Sequence, residues 1–292
     1  MKDEENASKE RPNADSSEIQ GEESIFDLLD DEGFFPEDPD IVEEDSTATE
    51  LPASTSSYRF QLNIDVVFVI DCTGDMVDRL DKVKQLVLWY EDGLHEFCES
   101  RGYTHCSLRI RIRIIGYRDF YYDWEDPDHP PIEASAFFNI PEQKEELIAF
   151  LDRLEAAGGE DEPASGLEAL HLAFHSDWKQ PEEGMREQQH IILITNSAAH
   201  KLDDPMRYDP RFNSHYPEGM PKNLEELENE YNDPDVFPSR NGIVKGHRLI
   251  LFAPENEYPW SELMCWECGI AMYTMDFQDI DIDILYRMIF MF

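Results

Sequence analysis

Positive charge is what this chain is short of. Its 292 residues include 24 Lys and Arg against 65 Asp and Glu, a formal net charge of −41. A surface so negative repels phosphodiester backbones and anionic headgroups, so neither nucleic-acid binding nor membrane adsorption is expected. A cation or a basic protein is the easier partner. Long apolar runs are also missing: no stretch approaches the ~20 residues that span a bilayer. Met1-Lys2-Asp3-Glu4-Glu5-Asn6 follows its lysine with acids, so no secretory signal is expected. The five cysteines, Cys72, Cys98, Cys106, Cys265 and Cys268, are odd in number and widely spread. They read as reduced thiols of a cytoplasmic protein. No G-x-x-x-x-G-K loop occurs to support nucleotide hydrolysis, and no Ser/His/Asp arrangement follows from spacing.

What is present divides into two regions. Residues 1–57 carry 19 acidic residues and three basic ones (Lys2, Lys9, Arg11), which is −16 of the total charge. Such a segment cannot bury enough apolar surface to offset its ordering entropy, so a disordered acidic tail is expected. Ile25-Phe26-Asp27-Leu28-Leu29 and Phe34-Phe35 are apolar islands within it. They are either chance residues in a solvated tail or a short helix that docks in a partner's groove.

Residues 58–292 have the pattern of one α/β domain. Asp65-Val66-Val67-Phe68-Val69-Ile70 predicts a strand buried on both faces. Met76 to Cys98 has helical spacing, with Leu80, Val83, Val87, Tyr90, Leu94 and Phe97 on one face. Leu108 to Ile114 alternates strictly between apolar residues and three arginines, which predicts a strand covered on one side only. A short edge strand is expected over 136–140, and a helix over 142–154. Pro163 suits the first turn of another helix, running to about His175. Further strands are expected over 190–195, 247–253 and 271–274, and helices over 260–267 and 280–292. Strands alternating with helices imply a three-layer sandwich: a doubly wound, mostly parallel central sheet with one short antiparallel edge strand. The polar stretch 200–246 is expected to be an insertion or a long functional loop.

In such sheets ligands bind at the carboxyl ends of the strands. The first strand ends in Asp71-Cys72-Thr73-Gly74-Asp75-Met76. The D-x-T-x-D spacing aims alternate side-chain oxygens from one tight turn, which Gly74 lets form. Two carboxylates and a hydroxyl so close repel one another unless a cation or a base sits among them. Hard oxygen ligands suit Mg²⁺, Mn²⁺ or Ca²⁺. Thr195-Asn196-Ser197 adds oxygens at a second strand end, and Gly158-Gly159-Glu160-Asp161-Glu162-Pro163 supplies carboxylates before a helix. Without an ion, Arg118 is the cation available to neutralise them.

The run from Val66 to Met76 resembles the first motif of von Willebrand factor A domains, where a D-x-S-x-S turn forms a metal-ion-dependent adhesion site. Gly158 to Pro163 with Gly166-Leu167-Glu168-Ala169-Leu170 is similar to the second loop of a bacterial branch. Gly116-Tyr117-Arg118-Asp119 and Ile192-Leu193-Ile194-Thr195-Asn196 match its other strand ends, so the resemblance covers roughly residues 60–290. It implies a Rossmann-type fold and metal ligands at Asp71, Thr73, Asp75, Asp161 and Asn196. Thr73 and Asp75 stand where the family has Ser, and Asn196 where it usually has Asp. The loop-two Thr falls at Asp161, with Ser165 as the alternative. One carboxylate is thus lost and two are gained.

The resemblance also implies function: such domains bind proteins, a partner's carboxylate completing the metal's shell. With extra carboxylates of its own, this site should favour a neutral or basic partner. Bacterial relatives occur beside kinases, phosphatases and stress-response proteins, which implies an intracellular scaffold or adaptor in signalling or defence, not an enzyme. Asp71-Cys72-Thr73-Gly74-Asp75 also echoes the D-x-T-G turn of haloacid dehalogenase-type phosphotransfer enzymes, in which Asp71 would be a nucleophile. Asp203-Asp204 offers the later acidic pair that chemistry requires, but no lysine is well placed.

Cys265-Trp266-Glu267-Cys268 has C-x-x-C spacing without a matching second pair, so buried structural thiols are expected. Trp260 and Trp266 are expected in the core. The nine histidines show no metal-type cluster. His171 and His175, four apart on one helix, lack the adjacent Glu of a metalloprotease and read as packing or surface residues.

Overall fold

The computed structural model describes residues 61–100, 107–159, 163–182, 185–211, 216–238, 247–254, 256–266 and 270–273. The acidic tail with its apolar islands, the closing helix expected over 280–292, Asp161, Cys106 and Cys268 lie outside the described residues.

The elements run β1 (Gln61–Asp71), α1 (Leu80–Ser100), β2 (Ser107–Tyr117), β3 (Ile132–Ala134), β4 (Phe138–Ile140), α2 (Lys144–Arg153), α3 (Gly166–Phe174), β5 (Met185–Ile194), α4 (Leu224–Tyr231), β6 (His247–Phe252), α5 (Trp260–Leu263) and β7 (Ile270–Tyr273). The strands form one mixed, mostly parallel sheet in the order β3-β2-β1-β5-β6-β7, with β4 also paired to β2. The parallel ladders β1–β2, β1–β5, β5–β6 and β6–β7 place the carboxyl ends of these five strands on the same side.

Burial explains the layering. Val66 to Ile70 of β1 are fully enclosed, as a β-branched run at the centre of a parallel sheet requires. Ile64, Val66, Phe68 and Ile70 face one way, against Val83, Val87, Tyr90 and Leu94 of α1 and Leu147 and Leu151 of α2. Val67 and Val69 face the other way, sharing a core with Leu167, Leu170 and Phe174 of α3, Leu227 and Tyr231 of α4, and Trp260 and Leu263 of α5. Trp266 joins the same core, as expected. Helices therefore cover both faces of the sheet. The strand order reverses between β1 and β5, which opens a crevice where the loops after these two strands diverge.

Three features differ from expectation. The antiparallel edge is two strands, β3 and β4, both on β2. Between them, Ser135 takes over the ladder: its amide donates to the Ile114 carbonyl and its hydroxyl accepts from the Ile114 amide, so Ala136 and Phe137 leave the sheet. The arginine face of β2 is partly covered: Arg109 stays exposed, while Arg111 and Arg113 are half-buried. Arg111 forks onto Asp65 of β1, with Nε donating to Oδ1 at 2.7 Å, and its guanidinium lies 4.5 Å from the Phe137 ring. Arg113 donates to the Ser135 carbonyl and to Ser176 Oγ. Lastly, the polar stretch 200–246 contains α4, whose Leu227 and Tyr231 are fully buried.

Candidate functional site

Asp71, the last residue of β1, is fully buried. Its Oδ1 accepts from the Thr73 amide at 2.9 Å and from Thr73 Oγ1 at 2.7 Å. Its Oδ2 accepts from Thr195 Oγ1 at 2.7 Å and Ser197 Oγ at 2.9 Å. Each hydroxyl that gives its proton to Asp71 keeps lone pairs on its oxygen. The turn after β1 and the turn after β5 therefore meet around one carboxylate.

Neither Asp75 nor Asn196 has a described hydrogen bond to Asp71. Asp75 is exposed on the short 3-10 turn Gly74–Met76. Asn196 reaches toward it, its Nδ2 lying 3.5 Å from the Asp75 carbonyl, while Asn196 Oδ1 is buried with no hydrogen-bond partner among the described residues. Beyond the end of β5 the chain bends, and the Ser197 amide donates to Thr195 Oγ1, which brings both hydroxyls onto Asp71 while Asn196, half-buried, turns to the Asp75 carbonyl. Ser165, the alternative loop-two residue, accepts from the Phe120 amide and sits with the loop after β2 instead.

Backbone contacts hold a third loop against this turn. The Gly74 amide donates to the Gly158 carbonyl at 3.0 Å, and the Ala157 amide to the Cys72 carbonyl at 2.9 Å. Gly158 and Gly159 have φ of 71° and 63°, a left-handed region that disfavours any side chain. A Cβ on Gly159 would also lie 2.8 Å from Thr73 Cγ2. Trp260 Nε1 donates to the Ser197 carbonyl at 2.8 Å, which anchors the β5 turn from beneath.

Arg118 is buried but engaged elsewhere. It donates to Glu133 Oε1 at 2.8 Å and to the carbonyls of Pro130 and Glu155. Of the described residues, no Lys, Arg or His forms an ion pair with Asp71; the buried Arg118 pairs with Glu133, and the His200 ring faces Asp119. Asp119 follows Arg118 and is itself fully buried, accepting from the Tyr121 amide and lying 3.0 Å from His200 Nε2. Asp123 accepts from the Asp119 and Gly159 amides, yet burial outweighs those bonds and raises its pKa. Glu168 of α3 is raised mainly by burial, and bonds Tyr216 through one oxygen. Burial pushes the Cys72 thiol up to about 12, so it is a packing group rather than a nucleophile. Asp203 is exposed and Asp204 caps the 3-10 turn Pro205–Tyr208 through the Met206 amide. Cys265, expected to be buried, is exposed; it lies just past the cap of α5, whose Trp260 and Leu263 are buried.

Beside the loop after β2 lies an apolar groove of about 530 Å³, whose walls include Phe120, Trp124, Pro130, Pro131 and Leu172. Val77 and Tyr122 are further exposed apolar residues on the loops after β1 and β2. No described helix is long and apolar enough to cross a membrane.

Fold and site define an α/β protein whose oxygen-rich carboxyl edge centres on a buried aspartate. No family model matches the chain. It is similar to the alpha-protein kinase vwkA of Dictyostelium discoideum, 22% identical over 175 residues, which are 60% of this chain and 24% of that protein. The chain thus spans about a quarter of that relative's length. Among solved structures it is similar to the pilus adhesin SpaC from Lactobacillus rhamnosus GG in its open conformation, with a TM-score of 0.33 and 14% identity over 49% of this chain and 15% of that one. It is also similar to the PilB minor pilin from Streptococcus sanguinis, with a TM-score of 0.45 and 14% identity over 81% of this chain and 63% of that one.

Proposed function

We propose that this chain is an intracellular von Willebrand factor A-like module that binds a protein partner with the help of a divalent cation, Mg²⁺ or Mn²⁺, or else Ca²⁺. It acts as a scaffold or adaptor rather than an enzyme. The observation that carries this reading is Asp71: a carboxylate with no solvent and, among the described residues, no ion-pair partner, ringed by three hydroxyls where the turns after β1 and β5 meet. Burying an unpaired negative charge is costly, and a cation nearby removes that cost.

The donor set fits a hard ion. Thr73 Oγ1 has lone pairs to offer, Asn196 Oδ1 has no partner among the described residues, and Asp75 is exposed. These residues would hold the ion, with Asp71 orienting the hydroxyls from behind. When bound, the ion supplies a positive centre for a partner's oxygen. Arg118 supports the reading by its engagement with Glu133, since that guanidinium donates there and not to Asp71. The Asp75 carboxylate favours a neutral or basic partner, in keeping with the net charge of −41. Phosphotransfer has less support: a nucleophilic carboxylate must present an oxygen to phosphorus, and both oxygens of Asp71 are enclosed by hydroxyl donors.

Thermal unfolding with and without Mg²⁺ or Mn²⁺ tests the site. Metal at about a hundredfold over its dissociation constant stabilises by about 2.7 kcal/mol, a shift of several degrees for a domain this size. Asp71→Asn should abolish the shift, and Asn196→Ala, at a less buried position, should reduce it without loss of fold. An unshifted wild-type melting curve at millimolar metal overturns cation binding. Capture of acidic peptides alone overturns the partner chemistry, and aryl phosphatase activity lost in Asp71→Asn overturns the choice of binding over catalysis.

A further inference from the structure

On the face of the sheet covered by α3, two imidazoles and a carboxylate converge outside the site described above. His171 and His175 lie one turn apart on α3 and at its end, their ring centroids 4.6 Å apart. Glu230 of α4 reaches both: its Oε2 is 2.8 Å from His171 Nδ1 and 3.5 Å from His175 Nε2. One ligand atom from each of the three side chains lies within 4.8 Å of the others. Atoms bound tetrahedrally at about 2.0–2.1 Å from one ion sit about 3.3 Å apart, so small side-chain rotations suffice to place an ion among them.

Proton counting at His171 is the second observation. Its Nε2 lies 3.3 Å from the Glu218 carbonyl and its Nδ1 lies 2.8 Å from the Glu230 carboxylate, so both ring nitrogens face acceptors. A neutral imidazole has one ring proton and cannot donate to both. With the proton on Nε2, bonded to Glu218, the Nδ1 lone pair opposes a carboxylate oxygen. A cation between Nδ1 and Oε2 turns that repulsion into coordination, and the Nε2–H···O=C bond then orients the ligand ring as outer partners commonly do.

We infer that His171, His175 and Glu230 form a site for a borderline divalent transition ion of the Zn²⁺ class, which ties α4 to α3. Two imidazoles and one carboxylate suit such an ion and not Mg²⁺ or Ca²⁺. His171 is buried while His175 is nearly half exposed, which leaves room for water in a fourth position. The third ligand enters 59 residues after the first, from the stretch the sequence presents as a polar loop. This site is independent of the Asp71 reading.

Titration of the chelator-treated full-length chain with Co²⁺ and Zn²⁺ tests it. One Co²⁺ should bind with visible ligand-field bands and no thiolate charge-transfer band, and Zn²⁺ should displace it and raise the melting temperature. Millimolar Mg²⁺ should leave the Co²⁺ spectrum unchanged. His175→Ala removes an exposed ligand and should keep the fold, judged by circular dichroism, while weakening binding at least as much as the roughly tenfold loss of an outer partner. Glu230→Gln, which retains a hydrogen bond to His171, should do the same, and Cys265→Ser should bind as the wild type does. The inference is overturned if the wild type takes up no Co²⁺, which would make the contact an ion pair to a doubly protonated His171. It is equally overturned if His175→Ala binds undiminished, or if the spectrum carries thiolate bands that vanish in Cys265→Ser.

Discussion

Asp65 and Arg111 show how single residues act in this chain. Asp65 interrupts the apolar run of β1 and is almost fully buried, but the parallel register sets it opposite Arg111, which forks onto both its oxygens. Arg111→Ala removes the counter-charge and leaves Asp65 with the Lys179 amide as its donor, and should cost about 3–5 kcal/mol in urea unfolding; a change within error would mean that water replaces the guanidinium. The alternation of β2 reveals that three arginines share a face. It does not reveal which residue of another strand stands beside each, because register is a property of two strands together. His190 of β5 makes the opposite case. Burial, reinforced by the charge of Arg248, lowers its pKa to about 3, against about 6.5 in an unfolded chain. The folded state resists protonation, so stability from this residue is complete above pH 6.5 and falls as the pH drops toward 3. Between pH 7 and 5 the wild type should lose about 2 kcal/mol more than His190→Gln. Equal losses would show that His190 is solvated.

The elements differ in how openly the sequence announces them. β1, β5 and β6 are legible because runs such as Ile191-Ile192-Leu193-Ile194 combine shortness with β-branched residues. α4 is hidden: Leu224, Leu227 and Tyr231 have helical spacing, but four glutamates surround them and give the segment the composition of a loop. Burial of Leu227 against the α3 face makes α4 part of the core. Leu227→Ala should therefore cost about 2–5 kcal/mol, as core truncations do, where a surface loop would lose almost nothing. The glycine loop before α3 acts on the Asp71 turn directly. Gly159→Ala imposes a left-handed alanine and a contact with the Thr73 side chain. It should lower stability by about 1–2 kcal/mol and weaken any Mg²⁺-induced thermal shift. Retention of both values would disconnect this loop from the site.

At the scale of the molecule the dominant quantity is the charge of −41. Self-repulsion of this size opposes the compact state, and salt screens it as the Debye length contracts from about 30 Å at 10 mM to about 10 Å at 100 mM. Raising NaCl across that range should increase the melting temperature, even though individual ion pairs such as Arg111–Asp65 weaken. A fall would mean that paired charges outweigh the net excess. Capture of the basic partner proposed above should be salt-sensitive in the same field, so binding assays at low ionic strength would exaggerate it.

The α/β class, the positions of the central strands and the acidic turn after the first of them follow from the chain alone, since each rests on periodicity or on residues a few places apart. Only the tertiary structure decides that Thr195 and Ser197 share Asp71, that Arg118 serves Glu133, and that Glu230 joins His171 and His175. Thr195 and Asp71 are 124 residues apart in the chain, and their contact exists because β5 lies beside β1 in the sheet. Local spacing sets which way a side chain faces; which distant side chain it meets depends on strand order and register, and these emerge from the packing of the whole sheet.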